Sequence, residues 1–353
     1  MMTEKDVRKK RKAEQMRKKK QRRRVTIATV VLIVILLGVL AFLFWRNQKE
    51  ESGKNPNDTG MVSEDSSAEQ EGTDSTGEND TGQGLPEATP SPDEPERIEL
   101  GEALKYTGNL ILVNSDYAYD FEDNAYDLML QDVASYGDVP IPVGEEGIQL
   151  AYRIMEPLSQ MIRDCNQALN CNDTGVTSAW RSLEEQKQIY ADYAEQYGQD
   201  YAEAYVADPG YSEHHTGLAL DMGIYYPSGG IDSFSQSDNA VWMNDNCYRY
   251  GFIRRYKEDK VNITGINNES WHFRYVGIPH ATYMYQQNLC LEEYIEYLRT
   301  QTSVNNPLTV ECESGTYEIY STRESSIPEP MGEYTVEGDN IDGYIVTILV
   351  SAN

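Results

Sequence analysis

Apolar residues follow four regimes along this chain. Residues 25 to 45 are 21 consecutive uncharged, largely apolar positions. At about 1.5 Å of rise per residue, such a run covers a hydrocarbon core of about 30 Å and predicts one transmembrane helix. Residues 46 to 98 contain no aromatic and hardly any large apolar side chain, so they cannot bury enough surface to offset ordering entropy and predict a disordered acidic stalk. From Gly108 the pattern is that of a folded domain. Residues 109 to 113 read as a short buried strand. Residues 148 to 169 place Ile154, Leu158, Met161, Ile162, Cys165 and Leu169 at helical spacing, which predicts an amphipathic helix. Residues 176 to 180 are strand-like and lead to Ser182, which with Glu185 three positions on makes a capping box for a helix from Leu183 to Tyr197. Beyond residue 303, short β-type runs at 308 to 312, 316 to 320, 334 to 337 and 344 to 350 are separated by turn residues and predict a small β appendage.

Charge orients these pieces. Of the 30 basic residues 13 lie in positions 1 to 24, against three of the 58 acids; a basic run abutting an apolar span holds the N-terminus in the cytoplasm and exports the residues beyond the span. The remainder carries 17 basic against 55 acidic residues and would repel nucleic acid, which is not expected as a partner. The expected organisation is a basic cytoplasmic segment (1–24), a membrane anchor (25–45), a stalk (46–98), a catalytic domain (99–303) and the β appendage (304–353). The catalytic domain would then be extracytoplasmic on a single-pass anchor. The five cysteines are odd in number and form no C-x-x-C pair, so no disulfide is assigned.

Three of the four histidines fall in two short segments, residues 212 to 221 (SEHHTGLALD) and 269 to 272 (ESWH). Together these supply imidazoles, a ligating carboxylate and a spare carboxylate. That is the parts list of a hydrolytic zinc site, in which three ligands leave one position open and a nearby Glu takes a proton. Alternation in residues 217 to 223 would bury Leu218, Leu220 and Met222 and turn Gly217, Ala219 and Asp221 to the other face. The same logic sends His272 and Arg274 to one side of the second segment and Trp271, Phe273 and Tyr275 to the other. Glu269 sits at an odd offset from His272, so it reaches the site only from a turn or bulge. His215 reads as a supporting or surface residue, His280 as structural, and Arg274 as an ion-pair partner on the sheet face. The tyrosines at 190, 193, 197, 201 and 205 read as helix packing.

With residues 250 to 256 (YGFIRRY), these blocks resemble the signature of VanY-type D-alanyl-D-alanine carboxypeptidases, of the zinc peptidase group that includes VanX dipeptidases and hedgehog-like domains. The resemblance runs from about residue 108 to 298. It implies an α+β fold in which a small antiparallel sheet is flanked by helices. It further implies zinc held by His214, Asp221 and His272, Glu269 as general base, Arg181 as the residue that polarises the scissile carbonyl or holds the substrate, and Ser212 and Gln186 as peptide contacts. The implied substrate is a peptidoglycan stem peptide that loses its terminal D-alanine. An L,D-carboxypeptidase or endopeptidase with the same metal site, or a non-catalytic zinc-containing wall-binding module, are the alternatives; the general-base Glu269 speaks against the last. Oligomeric state is left open.

Overall fold

The computed structural model describes residues 96–126, 128–138, 140–226 and 230–353. The expected cytoplasmic segment, anchor and stalk up to residue 95 lie outside the described residues. Among the described residues no helix is long and apolar enough to cross a membrane.

In chain order the strands are β1 (Arg97–Glu99), β2 (Leu130–Asp132), β3 (Gln149–Ala151), β4 (Thr174–Ser178), β5 (Ala219–Tyr225), β6 (Ile231–Ser233), β7 (Phe252–Tyr256), β8 (Glu269–Tyr275), β9 (Leu308–Cys312), β10 (Gly315–Thr322), β11 (Ser326–Pro328), β12 (Tyr334–Gly338) and β13 (Tyr344–Ala352). The helices are α1 (Met155–Leu169), α2 (Leu183–Tyr197), α3 (Gln199–Tyr205), α4 (Asp238–Asn246), α5 (Val261–Thr264), α6 (Ile278–Gln286) and α7 (Leu291–Gln301). The architecture is α+β with small antiparallel sheets and flanking helices.

The central sheet runs β4-β5-β8-β7, with β6 also on β5, and every pairing is antiparallel. One face is apolar. Leu220, Met222, Phe252 and Phe273 pack there against the buried side of α1, from Met155 through Leu158, Met161 and Ile162 to Cys165. Each such buried side chain contributes about 1.5–3 kcal/mol. The opposite face carries the polar residues of interest, because successive side chains on a strand alternate.

Two elements differ from the sequence expectation. The helix predicted from residue 148 begins at Met155; Gln149–Ala151 pairs instead with β2, and a 3-10 turn over Tyr152–Ile154 joins strand to helix. Pro157 in the first helical turn fits this later start, since a proline is tolerated there and not in a helix interior. Residues 110 to 113 are buried and Asn109 half-buried, close to expectation, but the segment forms no strand. Three of their carbonyls are satisfied by side chains: Arg274 Nη2 donates to Asn109 O and Ile111 O, both at 2.9 Å, and Asn340 Nδ2 donates to Leu112 O at 2.8 Å. Apolar composition marked the burial, whereas the hydrogen-bond partners lie more than 160 residues away.

The C-terminal sheet, β12-β13-β10-β9, lies on α6 and α7. Val310, Ile319 and Ile345 share one apolar cluster with Leu110, Leu112, Met284, Tyr294 and Leu298. β1 pairs with β11, and so Arg97 and Ile98, the last residues of the expected stalk, are tied to this sheet region. All five cysteines are free.

Candidate metal centre

Local sequence builds the site from a tight turn and two strands. Ser212 caps a 3-10 turn over Glu213–Thr216, its Oγ accepting from His214 N at 3.4 Å. Thr216 Oγ1 closes the turn by donating to Glu213 O at 2.6 Å and accepting from Leu218 N at 3.0 Å. Gly217 then takes φ 66°, where a Cβ would stand 3.0–3.1 Å from Leu128 Cδ1 and Ala151 N, so a side chain here is opposed by both backbone and space. The chain leaves the turn as β5, and the pairing of β5 with β8 sets Asp221 opposite His272.

His214, Asp221 and His272 thus come together, with one potential ligand atom from each within 4.8 Å of the others. The atoms can be named. His214 Nδ1 is engaged by Ala179 O, leaving Nε2, which lies 3.5 Å from Asp221 Oδ2. His272 Nδ1 lies 3.1 Å from Asp221 Oδ1. Ligand atoms bound to a tetrahedral ion at about 2.0–2.1 Å stand roughly 3.3 Å apart, so these separations fit one small cation.

Electrostatics agree. Burial would lower the His272 pKa, but the hydrogen bond to Asp221 and the nearby carboxylates of Glu213, Asp221 and Glu269 outweigh it and raise it to about 9. Burial would raise Asp221, yet His214 and His272 hold it down at about 2. His214, desolvated and beside Arg181, falls to about 3 and is a neutral imidazole, ready to ligate. The centre therefore stabilises positive charge between carboxylates, which is what a dication would supply.

Glu269 enters from an irregularity, as the odd spacing required. Arg254 pairs with Phe273 but Tyr256 with Glu269, so two steps along β7 correspond to four along β8. Its Oε2 lies 3.8 Å from His272 Nδ1. Burial, reinforced by Asp221 and offset in part by His272, pushes its pKa up to about 7. Glu269 and Arg181 keep 17% and 18% of their side chains exposed, enough to meet a ligand.

Arg181 lies beside Asp221, with Nη2 3.3 Å from Oδ2, and is held by Ser178 Oγ and Gln186 Oε1. Gln186 is turned inward: it is 1% exposed, and its Nε2 donates to Ala207 O at 2.8 Å. Gln186 is therefore buried beside Arg181, bonded to it through Oε1. Ser212 is likewise buried, as a cap. His215 is fully buried. Its Nε2 accepts from Gly210 N and its Nδ1 meets Arg181 O, which rules out a surface role.

Arg274 forms the ion pair expected of it, with Glu213 at 3.0 Å, but sequence reasoning missed the rest of the buried ion cluster behind His272. Glu213 is flanked by Arg255 and Arg274, Arg255 is bidentate to Glu292, and the Tyr256 ring lies 4.8 Å from that of His272. The only signal was a set of charged residues inside otherwise apolar motifs.

A neutral imidazole, a second imidazole and a carboxylate around one cation position, beside a carboxyl poised near pH 7 and an arginine, define a hydrolytic metal centre. Residues 147–278 match the VanY family model, described as D-alanyl-D-alanine carboxypeptidase. A D-alanyl-D-alanine carboxypeptidase of Enterococcus faecium is 32% identical over 255 residues, covering 70% of this chain and 78% of that protein. The bifunctional D-Ala-D-Ala dipeptidase and D-Ala-D-Ala carboxypeptidase VanXYC of Enterococcus gallinarum is 40% identical over 129 residues, covering 36% of this chain and 68% of that protein. Among solved structures, the vancomycin resistance D,D-dipeptidase VanXYg, in complex with a D-Ala-D-Ala phosphinate analogue, superposes with a TM-score of 0.61 at 32% identity over 72% of this chain and 99% of that one. The chain belongs to the VanY-type D-alanyl-D-alanine carboxypeptidase family, and is a hydrolase.

Proposed function

We propose that the protein is a zinc D,D-carboxypeptidase that removes the terminal D-alanine from peptidoglycan stem peptides outside the cytoplasmic membrane, to which residues 25–45 tether it. The observation that carries this reading is the convergence of His214 Nε2, Asp221 and His272 Nδ1, with Glu269 and Arg181 as the partly exposed groups beside them. Two imidazole nitrogens and a carboxylate oxygen suit zinc better than the all-oxygen cations. Zinc, when bound, supplies Lewis-acid chemistry, acidifying water and polarising a carbonyl oxygen.

The chain's own residues do the rest. Glu269, with a pKa near 7 set by burial, takes the proton of the attacking water and returns it to the departing amine of D-alanine. Arg181 offers fixed positive charge to the carbonyl oxygen or the terminal carboxylate; Ser178 and Gln186 hold its guanidinium in place. Tethering and export are supported by the 21-residue apolar run and the basic segment ahead of it.

Glu269→Gln keeps size and hydrogen bonding while removing the proton acceptor. In the purified ectodomain it should retain about one zinc per chain and lose about 10²-fold or more in turnover. D-alanine released from a pentapeptide ending in D-alanyl-D-alanine, with a tetrapeptide alongside, is the measurement. Release from the tetrapeptide alone would replace the D,D reading with an L,D one, and full turnover in the Gln variant would remove Glu269 from its role.

A further inference from the structure

Glu213 stands one position before His214 and is completely buried. Its two oxygens have different surroundings. Oε1 accepts from Arg255 Nε at 2.7 Å and from Arg274 Nη1 at 3.0 Å. Oε2 is buried with no hydrogen-bond partner and lies 3.4 Å from His272 Nε2, which is also buried without one. Buried polar atoms are nearly always paired. Here two unpaired atoms stand 3.4 Å apart, one able to donate and the other to accept, so a small adjustment of the ring or the carboxylate joins them.

We propose that Glu213 is the positioning residue of His272: its Oε2 accepts the Nε2 proton, which fixes the tautomer that leaves the Nδ1 lone pair facing Asp221. The inference rests on the reading of His272 as a zinc ligand. The carboxylate can perform this task because it cannot turn away. Arg274, also fully buried, is pinned by the carbonyls of Asn109, Ile111 and Tyr275, and Arg255 by both oxygens of Glu292 on α7. Glu269 cannot substitute, since it approaches the Nδ1 side of the ring. A carboxylate serving only as counter-ion to the arginines would have no reason to aim its second oxygen at an imidazole nitrogen. The same donor–acceptor chain links the irregular 109–113 segment to the metal centre, which gives that segment a part in holding the site.

The test begins with the zinc-loaded wild-type protein, so it does not depend on any variant folding. Nitrogen-15 NMR of labelled histidine should show His272 with a protonated Nε2 and a metal-bound Nδ1, and a low-field Nε2 proton that exchanges slowly. The Glu213→Gln variant, read by chelator competition, should bind zinc about 10- to 100-fold more weakly, with that proton moved upfield. A wild-type spectrum with Nδ1 protonated and Nε2 on the metal would overturn the role of Glu213 while leaving zinc binding intact. So would a folded Gln variant with wild-type zinc affinity and an unmoved proton. His272→Ala retaining one zinc per chain would instead overturn the ligand assignment, and the inference with it.

Discussion

At the scale of single residues, the site depends on side chains being held as much as on their identity. Gln186 shows this. The resemblance implies a substrate contact there, and in the structure its amide is bonded to Ala207 O and Arg181. Gln186→Ala should therefore act through Arg181, lowering kcat/KM about 10-fold and costing about 1 kcal/mol of stability because the half-buried Ala207 O loses its donor. Arg181→Lys keeps the charge but loses the planar fork that reaches Ser178, Gln186 and Asp221 together, so it should cost more, on the order of 10²-fold in kcat/KM. Steady-state kinetics beside urea unfolding separate the two: a Gln186 variant with lost stability and undiminished kcat/KM would remove the link to Arg181. Residues such as His214, Asp221 and His272 could be read from motif spacing because metal chemistry restricts both residue type and separation. The direction in which Gln186 and Ser212 point could not, since it depends on partners from other elements.

At the scale of elements, local signals succeeded where the backbone bonds to its neighbours. Ser182 Oγ accepts from Glu185 N at 3.2 Å, and α2 runs over Leu183–Tyr197 as the capping pattern predicts. Ser182→Ala should cost about 1 kcal/mol in chemical denaturation. The same local logic failed for residues 109 to 113, whose hydrogen bonds come from Arg274 and Asn340. It also missed β3, which a helical repeat of apolar residues concealed. Glu269 lies between these cases: its odd offset demanded an irregular strand, and the register slip between β7 and β8 supplies it, although nothing local indicated where along β8 the slip would fall. Asn340→Ala should leave Leu112 O and Ala118 O without their donor. That change should destabilise by about 1–3 kcal/mol, seen as a lower urea midpoint at unchanged slope.

At the scale of the whole molecule, the C-terminal sheet and the metal-bearing sheet are joined through buried contacts, and His280 on α6 is one of the joints. Its Nδ1 meets the Tyr294 hydroxyl at 2.8 Å and its Nε2 meets Thr347 Oγ1 of β13 at 3.2 Å. Burial lowers its pKa to about 3. The folded ring is thus neutral over a range in which the unfolded ring, with an ordinary value near 6.5, takes a proton. Because the unfolded state binds more protons there, stability rises with pH between about 3 and 6.5 and is lost as pH falls through that window, by up to about 1.4 kcal/mol per unit from this residue. His214 shares the window in metal-free protein, as do His215 and the lowered carboxylates Glu213 and Glu292, and Glu269, with its raised pKa, works against it, so a single pH profile would mix many groups. Comparing wild type with His280→Asn by urea unfolding of the zinc-loaded protein at pH 4.5 and pH 6.5 isolates the His280 part. The variant should be less stable at pH 6.5, having lost a buried hydrogen bond, and should lose less on moving to pH 4.5. Equal losses in the two proteins would mean that His280 is protonated in the fold, and that the joint between α6 and β13 is a charged one.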